Sequence, residues 1–331
     1  MVRTMSGIQP TGNLHIGNYL GALVNFVELQ QQYESFFCVV DLHALTRSSA
    51  SDWVPGQLEQ NVREVAIGML ASGVDPERAT LFVQSHVPQH AELAWIMSCL
   101  TPLGDLQRMT QFKDKSAEQP EMVSAGLFTY PVLQTADIVL YRAERVPVGD
   151  DQDQHLELAR ETVRRFNFKF GQTFPEPQTV KSKATRVIGL DGTKKMSKSL
   201  GNEIGLFETP EETLLKMRGA KTDPARLRKT DRGTPEVCNI YSYHGFFTPP
   251  AQREEIAAGC RSAQLGCVDC KKMLCSNLEL VKGPIRERAA TLRAAPGRLD
   301  EILAAGAQKA RAAAEVTMAI VRERIGLRSK V

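Results

Sequence analysis

A chain of 331 residues with 41 Lys and Arg against 38 Asp and Glu has a formal net charge of only +3. No chain-wide field for polyanions is expected, and any nucleic-acid contact must come from local basic patches. The length allows a large core and two domains. The chain has no run of about 18 apolar residues, and its start, Met-Val-Arg-Thr, lacks an apolar signal core; the expectation is a cytoplasmic protein without membrane contact, its cysteines reduced.

In chain order, a short apolar run with Met5 and Ile8 leads into Pro10-Thr-Gly-Asn-Leu-His15-Ile-Gly-Asn18. Ile16, Leu20, Leu23, Val24 and Val27 then recur at helical spacing. Gly7, Gly12, Gly17 and Gly21 permit backbone positions that a side chain would block. A strand, a glycine turn and a helix start together present unpaired N–H groups to an anion, and His15 and Asn18 are expected to add side-chain donors. The residues 35–41 form a continuous apolar run, as in a buried parallel strand. Residues 52–72 read as a helix, 80–84 as a strand, 91–99 as a helix and 187–190 as a later strand. This order predicts a doubly wound α/β sheet, Rossmann-like, with ligands at the carboxyl ends of the strands.

In Gly126-Leu-Phe-Thr-Tyr130-Pro-Val-Leu-Gln134-Thr-Ala-Asp137, the residues Tyr130, Gln134 and Asp137 stand at i, i+4 and i+7. With Pro131 opening a helix, Gln134 and Asp137 share one face. Apolar neighbours surround that face, so it is expected to line a pocket. A buried carboxylate there needs a donor partner, and an indole N–H is a donor only. Further on, Lys194-Lys195-Met196-Ser197-Lys198-Ser199 sets three lysines and two serines on a short loop suited to a triphosphate.

Beyond about Glu208 strand patterns fade and helices rich in Arg, Lys, Ala and Leu take over. Lys216, Arg218, Lys221, Arg226, Arg228, Lys229 and Arg232 crowd one stretch, extended by Lys282, Arg286, Arg288 and Arg293. Such a run is an ordinary solvated face or a phosphate-contacting surface. Five of the seven cysteines fall between 238 and 275. Cys238, Cys260, Cys267 and Cys270 read C-x21-C-x6-C-x2-C, with Cys275 left over. In a reduced compartment this spacing implies a metal centre, and four thiolates suit zinc or an iron–sulfur cluster equally. Cys38 and Cys99 sit in apolar patterns and read as inert core residues.

His-Ile-Gly-Asn near the start and Lys-Met-Ser-Lys-Ser downstream resemble the two signatures of class I aminoacyl-tRNA synthetases. Ser6-Gly-Ile-Gln9-Pro, Asp41-Leu-His43-Ala, Met109-Thr-Gln-Phe-Lys-Asp-Lys115-Ser, Tyr130 to Asp137 and Val146-Pro-Val-Gly149-Asp-Asp-Gln152 resemble the bacterial tryptophanyl branch. The resemblance covers most of residues 4–205 and continues more loosely to the end. It implies that tryptophan and ATP give tryptophanyl-AMP and pyrophosphate, and that tryptophan then passes to tRNA(Trp). It implies that Asp137 receives the indole N–H, and that Met5, Gly7, His43, Tyr130, Gln134, Val146, Val148 and Gln152 frame the amino acid. It places Gln9, Pro10, Thr11, Gly17, Asn18, Gly149, Asp150, Asp151, Val187, Lys195, Met196, Ser197, Lys198 and Ser199 around ATP with Mg²⁺, and makes His15, Asn18, Lys115, Lys195 and Lys198 the catalytic candidates. Met5 and Gln134 depart from many relatives, which have phenylalanine and methionine there. Gln134 is shared with the tyrosine-specific sister enzymes, so tyrosine–tRNA ligase is the alternative substrate reading. A non-charging iron–sulfur nucleic-acid-binding paralogue and a nucleotidyltransferase are further alternatives.

A subset of the bacterial tryptophanyl enzymes has nearly this cysteine spacing and binds a [4Fe–4S] cluster, which favours a cluster over zinc. The implied organisation is a catalytic domain over 1–200, a helical anticodon-binding domain with the four-cysteine site over 201–295, and a C-terminal helix, 296–331, packing back on the catalytic domain. A homodimer is implied by the resemblance alone.

Overall fold

The computed structural model describes residues 1–10, 12–47, 54–113, 123–149, 152–181 and 187–327. Among the expected site residues, Thr11, Lys115, Asp150 and Asp151 lie outside them, as does the side chain of Val148. Five strands, β1 (Arg3–Ile8), β2 (Glu34–Val39), β3 (Ala79–Val83), β4 (Arg145–Val148) and β5 (Gln178–Lys181), form one parallel sheet in the order β3-β2-β1-β4-β5. Helices of nine residues or more are α1 (Gln57–Ala71), α2 (Gln89–Ser98), α3 (Ala125–Leu140), α4 (Asp153–Phe170), α5 (Pro210–Gly219), α6 (Asn239–Phe247), α7 (Pro250–Arg261), α8 (Cys267–Ala294) and α9 (Pro296–Ile325). None of the described helices is long and apolar enough to cross a membrane.

The chain begins at the middle of the sheet and winds first to one side, then to the other. The order therefore reverses between β1 and β4, and an open α/β sheet binds ligands at such a point. Pairing there is short: Thr4 opposite Arg145 is the only β1–β4 register pair. Pro147, which has no N–H to give a neighbour, follows it. β2 is apolar through Phe36, Phe37, Cys38 and Val39, all buried, because helices cover both faces of a parallel sheet.

The residues divide into two compact units. One comprises Met1–Gly12, Ala22–Ala184 and Ala295–Val331; the other comprises Asn13–Gly21 and Thr185–Ala294. The sequence-based boundary at 200/201 thus differs from the observed division at 184/185. The segment 187–190 is not a sheet strand. It forms one arm of a tight loop, with Ile188 bridged to Lys195 and the Met196 N–H donating to the Val187 carbonyl at 2.9 Å. The helix expected from 52 begins only at Gln57, because Gly56 turns the chain with φ +80°. Cys99, expected in the core, is exposed just past α2, whereas Cys38 is buried.

In the first unit α9 covers the edge strand β3. Gly306 makes this approach possible, since a Cβ there would stand 1.7 Å from the Leu81 carbonyl oxygen. Arg322 holds Glu92 of α2 with two bonds of 2.7 and 2.6 Å. Replacing Gly306 with Ala should push α9 off the sheet and lower unfolding stability by about 3 kcal/mol or more, the upper range of overpacking costs. Gly297→Ala in the same helix, where nothing stands within 4 Å of the new methyl, should be neutral or stabilising by up to about 1 kcal/mol. Urea denaturation of both variants checks the contrast.

Candidate active site

The carboxylate of Asp137, 3% exposed on α3, has three side-chain partners. Its Oδ1 accepts from Gln84 Nε2 at 2.8 Å and lies 2.6 Å from His90 Nδ1; its Oδ2 lies 2.8 Å from His43 Nε2. Burial alone would raise its pKa, but the side-chain hydrogen bonds from His43 and His90 hold it well below the usual carboxylate range. It is therefore an ionised acceptor. Three of its four or so acceptor positions are filled by donors brought from the ends of β2 and β3 and from α2.

The helix that positions Asp137 opens at Ala125, where Ser124 Oγ accepts from the Leu127 N–H at 3.0 Å. Pro131 lies inside it rather than at its start. Tyr130, Gln134 and Asp137 nevertheless remain on one face at i, i+4 and i+7. Tyr130 is buried. Its hydroxyl donates to Gln111 Oε1 at 3.0 Å and lies 2.9 Å from His155 Nε2, and burial pushes its pKa up to about 12. Gln134 Nε2 donates to Gln152 Oε1 at 3.4 Å.

Other expected pocket residues belong to the strands beside the β1/β4 reversal: Met5 and Gly7 on β1, Val146 on β4. A Cβ at Gly7 would meet Val40 Cγ1 at 2.6 Å, so glycine is required there by the neighbouring chain. Gln9 and Pro10 continue from β1, and Gly149 follows β4, its carbonyl accepting from the Gln152 N–H at 2.9 Å. His43, 2.8 Å from Asp137 Oδ2, also stands edge-on to Tyr130 with ring centroids 6.3 Å apart.

The second unit joins the two lysine- and glycine-bearing signatures. The Ile16 N–H donates to the Ile204 carbonyl at 3.0 Å, the Leu206 N–H donates to the Leu14 carbonyl at 2.8 Å, and His15 bridges Gly205. A Cβ on Gly17 would stand 2.9 Å from the His15 ring and 3.5 Å from Met196 Cβ. The glycine thus makes room for the His15 ring, with Met196 at ordinary contact distance. His15 Nδ1 accepts from the Asn18 N–H at 3.3 Å, and Asn18 Oδ1 accepts from the His15 N–H at 3.0 Å, so the side-chain donors are His15 Nε2 and Asn18 Nδ2. Burial lowers the His15 pKa, which Glu203 opposes and Lys195 reinforces.

The lysine loop has its own internal support. Met196 is buried beneath it, and Lys195 and Lys198 are exposed. Asn202, 4% exposed, accepts from the Ser197 N–H at 2.8 Å and donates to Asp191 Oδ2 at 2.6 Å. Asp191 in turn accepts from the N–H groups of Thr193 and Lys194 at 2.9 and 3.0 Å. Those bonds, the Thr193 N–H first, lower the pKa of Asp191. Ser197 and Ser199 pair through their hydroxyls at 2.9 Å. Val187, buried at 4%, offers its carbonyl to Met196.

Cys238, Cys260, Cys267 and Cys270 line one pocket with Ile240, Ile256 and Leu265. Burial pushes the Cys270 thiol up to about 12, and Cys238, Cys260 and Cys267 act in the same direction. Arg226, also buried, points Nη1 at Cys260 Sγ, 3.4 Å away, and His244 Nε2 stands 3.4 Å from Cys270 Sγ. A Cβ on Gly233 would meet Cys260 Sγ at 2.5 Å. Among the described residues, no three His, Cys, Asp or Glu side chains group closely enough to hold a single metal ion. Cys275 is outside this wall, with Lys282 as its charged neighbour.

The basic stretch is only partly a surface. Arg218, Lys221, Arg228, Lys229 and Arg232 are exposed. Arg226 is enclosed beside Cys260, Lys216 is paired with Glu203 at 2.9 Å and Glu208 at 2.6 Å, and Lys282 is 1% exposed against Thr213 Oγ1 at 2.6 Å. Sequence reasoning assigned no role to Gln84, His90, Tyr141, Gln111, His155, Asp191 or Asn202. The last two follow patterns common in turns, and the others sit among apolar neighbours that mask them.

A parallel nucleotide-type sheet, with a His-Ile-Gly turn packed on a Lys-Met-Ser-Lys-Ser loop elsewhere in the chain, is the pattern of a class I tRNA synthetase. Residues 1–281 match the family described as tRNA synthetases class I (W and Y), and the chain belongs to it. It is 52% identical to the tryptophan–tRNA ligase of Deinococcus radiodurans, over 98% of this chain and 99% of that one. It is 45% identical to the Synechocystis enzyme of the same name, over 98% and 97%. The solved tryptophanyl-tRNA synthetase of Campylobacter jejuni complexed with ADP and tryptophan superposes with a TM-score of 0.89 at 35% identity, covering 98% of this chain and 100% of that one.

Removing the Asn202 side chain takes its hydrogen bonds from the Ser197 N–H, Asp191 and the Lys195 carbonyl while leaving every lysine side chain in place. Asn202→Ala should lower kcat for ATP–pyrophosphate exchange by up to about 100-fold, the cost of a roughly 1 Å misplacement. Steady-state exchange kinetics, with thermal melting to confirm an intact fold, measure it.

Proposed function

We infer that this chain is a tryptophan–tRNA ligase. It activates L-tryptophan with ATP to tryptophanyl-AMP and pyrophosphate, then transfers tryptophan to tRNA(Trp). Within a family that handles tryptophan and tyrosine, the observation that carries the substrate reading is the ionised Asp137, enclosed by donors yet short of one. An indole N–H supplies that donor. Gln134, the residue shared with tyrosine-specific relatives, bonds to Gln152, and the 52% identity is to a tryptophan enzyme.

The tryptophan carboxylate is the nucleophile. One of its oxygens bonds to the α-phosphorus as the bridge to pyrophosphate breaks, so the protein needs no nucleophile of its own. It must hold the reactants in line and offset the charge gathering on the leaving group. Lys195 and Lys198 on the loop braced by Asn202 are the cationic groups for this, with Lys115 a third candidate. Mg²⁺ enters with the ATP phosphates. Gln9, Pro10, Thr11, Gly17, Gly149, Asp150, Asp151 and Val187 are assigned to ATP by resemblance. His15 and Asn18 cap each other, which shapes the turn, and each retains a side-chain donor for the ATP phosphates. In the second step a terminal ribose hydroxyl of the tRNA attacks the mixed anhydride and AMP leaves. Arg218, Lys221, Arg228, Lys229 and Arg232 are the exposed cations for tRNA phosphates. By resemblance the enzyme works in the cytoplasm as a homodimer, with residues 1–200 catalytic and residues 201–295 reading the anticodon.

We further propose that Cys238, Cys260, Cys267 and Cys270 hold a [4Fe–4S] cluster, with zinc as the alternative. Each thiolate of a four-iron cluster ligates a different iron, so the four stand farther apart than the ligands of one zinc. Four cysteines on one apolar pocket wall, with no grouping tight enough for a single ion among the described residues, fit the larger group. Arg226 beside Cys260 would offset the negative charge of the thiolates. The group's contribution here is structural, tying α7 and α8 to the turn before α6.

Tryptophan-dependent, not tyrosine-dependent, ATP–pyrophosphate exchange and charging of tRNA(Trp) are expected, and Asp137→Ala should lose at least about 1–3 kcal/mol of transition-state stabilisation. Exchange driven equally by tyrosine, or undiminished in the variant, would remove the assignment. Protein prepared without oxygen should be brown, with iron and acid-labile sulfide each near four per chain. Colourless protein with one zinc would replace the cluster by the alternative.

A further inference from the structure

His90 occupies an unusual position for a histidine. It is fully buried on α2, and its ring nitrogens meet Asp137 of α3 and Tyr141 at the C-terminal cap of that helix: Nδ1 lies 2.6 Å from Asp137 Oδ1 and Nε2 lies 2.8 Å from the Tyr141 hydroxyl. Asp137 and Tyr141 are four residues apart, so the ring spans one helical turn. Phe82 flanks it with ring centroids 5.9 Å apart, and Phe36 stacks on Tyr141 at 4.4 Å. His90, Phe82 and Tyr141 are fully buried, and Asp137 keeps a small exposed fraction.

The direction of the proton chain follows from the partners. Tyr141 is buried, with Cys38 and Asp137 close, and all three effects raise its pKa, so its hydroxyl keeps its proton. Nε2 of His90, 2.8 Å away, is placed to accept from that hydroxyl. Nε2 is then the acceptor and Nδ1 carries the hydrogen, which it gives to Asp137 Oδ1. Gln84 is oriented in the same way: its Oε1 accepts from the Leu42 N–H at 3.1 Å, which turns Nε2 toward Asp137. Oδ1 of Asp137 thus receives two donors of fixed direction, and Oδ2 receives one, from His43.

We propose that His90, held by Tyr141, is a positioning residue that fixes the Asp137 carboxylate so that its remaining acceptor position, on Oδ2, faces the ring donor of the substrate, and that this bracing sets selectivity for a ring bearing an N–H. The proposal rests on Asp137 being the acceptor for indole. It differs from a purely structural role in one respect: the benefit must depend on the substrate having an N–H to offer. A carboxylate free to rotate would still fill the space beside the ring, but would lose the directed bond.

The test compares tryptophan with β-(benzothiophen-3-yl)alanine, which has sulfur where the indole has N–H, in amino-acid-dependent pyrophosphate exchange. The wild-type enzyme should prefer tryptophan by about 10- to 100-fold in kcat/KM, the range of a charge-assisted bond. Tyr141→Phe, which removes one oxygen and frees the His90 tautomer, should reduce that preference several-fold. His90→Leu should reduce it about tenfold. His90→Asn, whose side-chain amide retains a donor near the position of Nδ1, should restore most of it. The loss should fall on KM for tryptophan, with KM for ATP unchanged.

Equal losses for both amino acids in Tyr141→Phe would show that the pair merely supports the fold and would overturn the proposal, even where His90→Leu fails to fold. A wild-type enzyme indifferent to the sulfur replacement would instead overturn the indole–Asp137 reading itself, and the proposal with it. The two failures are thus told apart by the wild-type measurement alone.

Discussion

A carboxylate placed among apolar residues must be compensated, and much of the first unit is arranged around that requirement. Leaving a buried charge without partners costs several kcal/mol. Asp137 avoids that cost by drawing donors from three separate places: after β2, after β3, and from α2. These elements are far apart in the chain and meet only because the sheet is parallel and each strand's carboxyl end opens on the same side. The sheet therefore does more than support the pocket. It delivers the groups that keep Asp137 ionised, and an ionised acceptor can receive a ring N–H but cannot compete with it as a donor.

The same dependence on distant partners governs the lysine loop. Exposed lysines gain little from isolated surface pairing, and a flexible loop would spread their charge over many positions. Asn202 and Asp191 reduce that freedom by tying the backbone at Ser197, Thr193 and Lys194. Gly189 is required beside Asn202, since a Cβ there would stand 2.2 Å from the amide. The lysine side chains can remain long and exposed while the backbone beneath them is fixed. Charge placed by a rigid base is the arrangement that stabilises a leaving pyrophosphate without reorganisation during the reaction.

How much of this the sequence disclosed depends on how local each determinant is. β2 and β3 announce themselves by continuous apolar runs, and the signature segments by residue order alone. β5, Gln-Thr-Val-Lys, has no apolar run and becomes a strand only because β4 offers it an edge. The apolar residues 187–190 misled for the opposite reason: they are buried, yet by a loop rather than a sheet. Pro131 suggests a helix start, but the Ser124 cap begins the helix a full turn and a half earlier. Asp137 was legible because apolar neighbours on its helix required a polar face to line something. Its partners were not, since a histidine in an apolar helix such as His90 carries no sign of which carboxylate it will meet.

The basic residues show where composition stops being informative. Arg226 and Lys282 look like surface cations in the sequence, and both are buried. Each has a reason that only the fold supplies: Arg226 faces a cysteine, and Lys282 meets a threonine hydroxyl with Glu208 and Glu279 close enough to raise its pKa against the larger effect of burial. Removing such residues from the count leaves a smaller set of exposed cations, Arg218, Lys221, Arg228, Lys229, Arg232, Arg288 and Arg293. That is consistent with a chain whose overall charge is near balance. Affinity for a polyanion must then come from the placement of a few charges rather than from their number, and placement is set by the packing of α5 to α8.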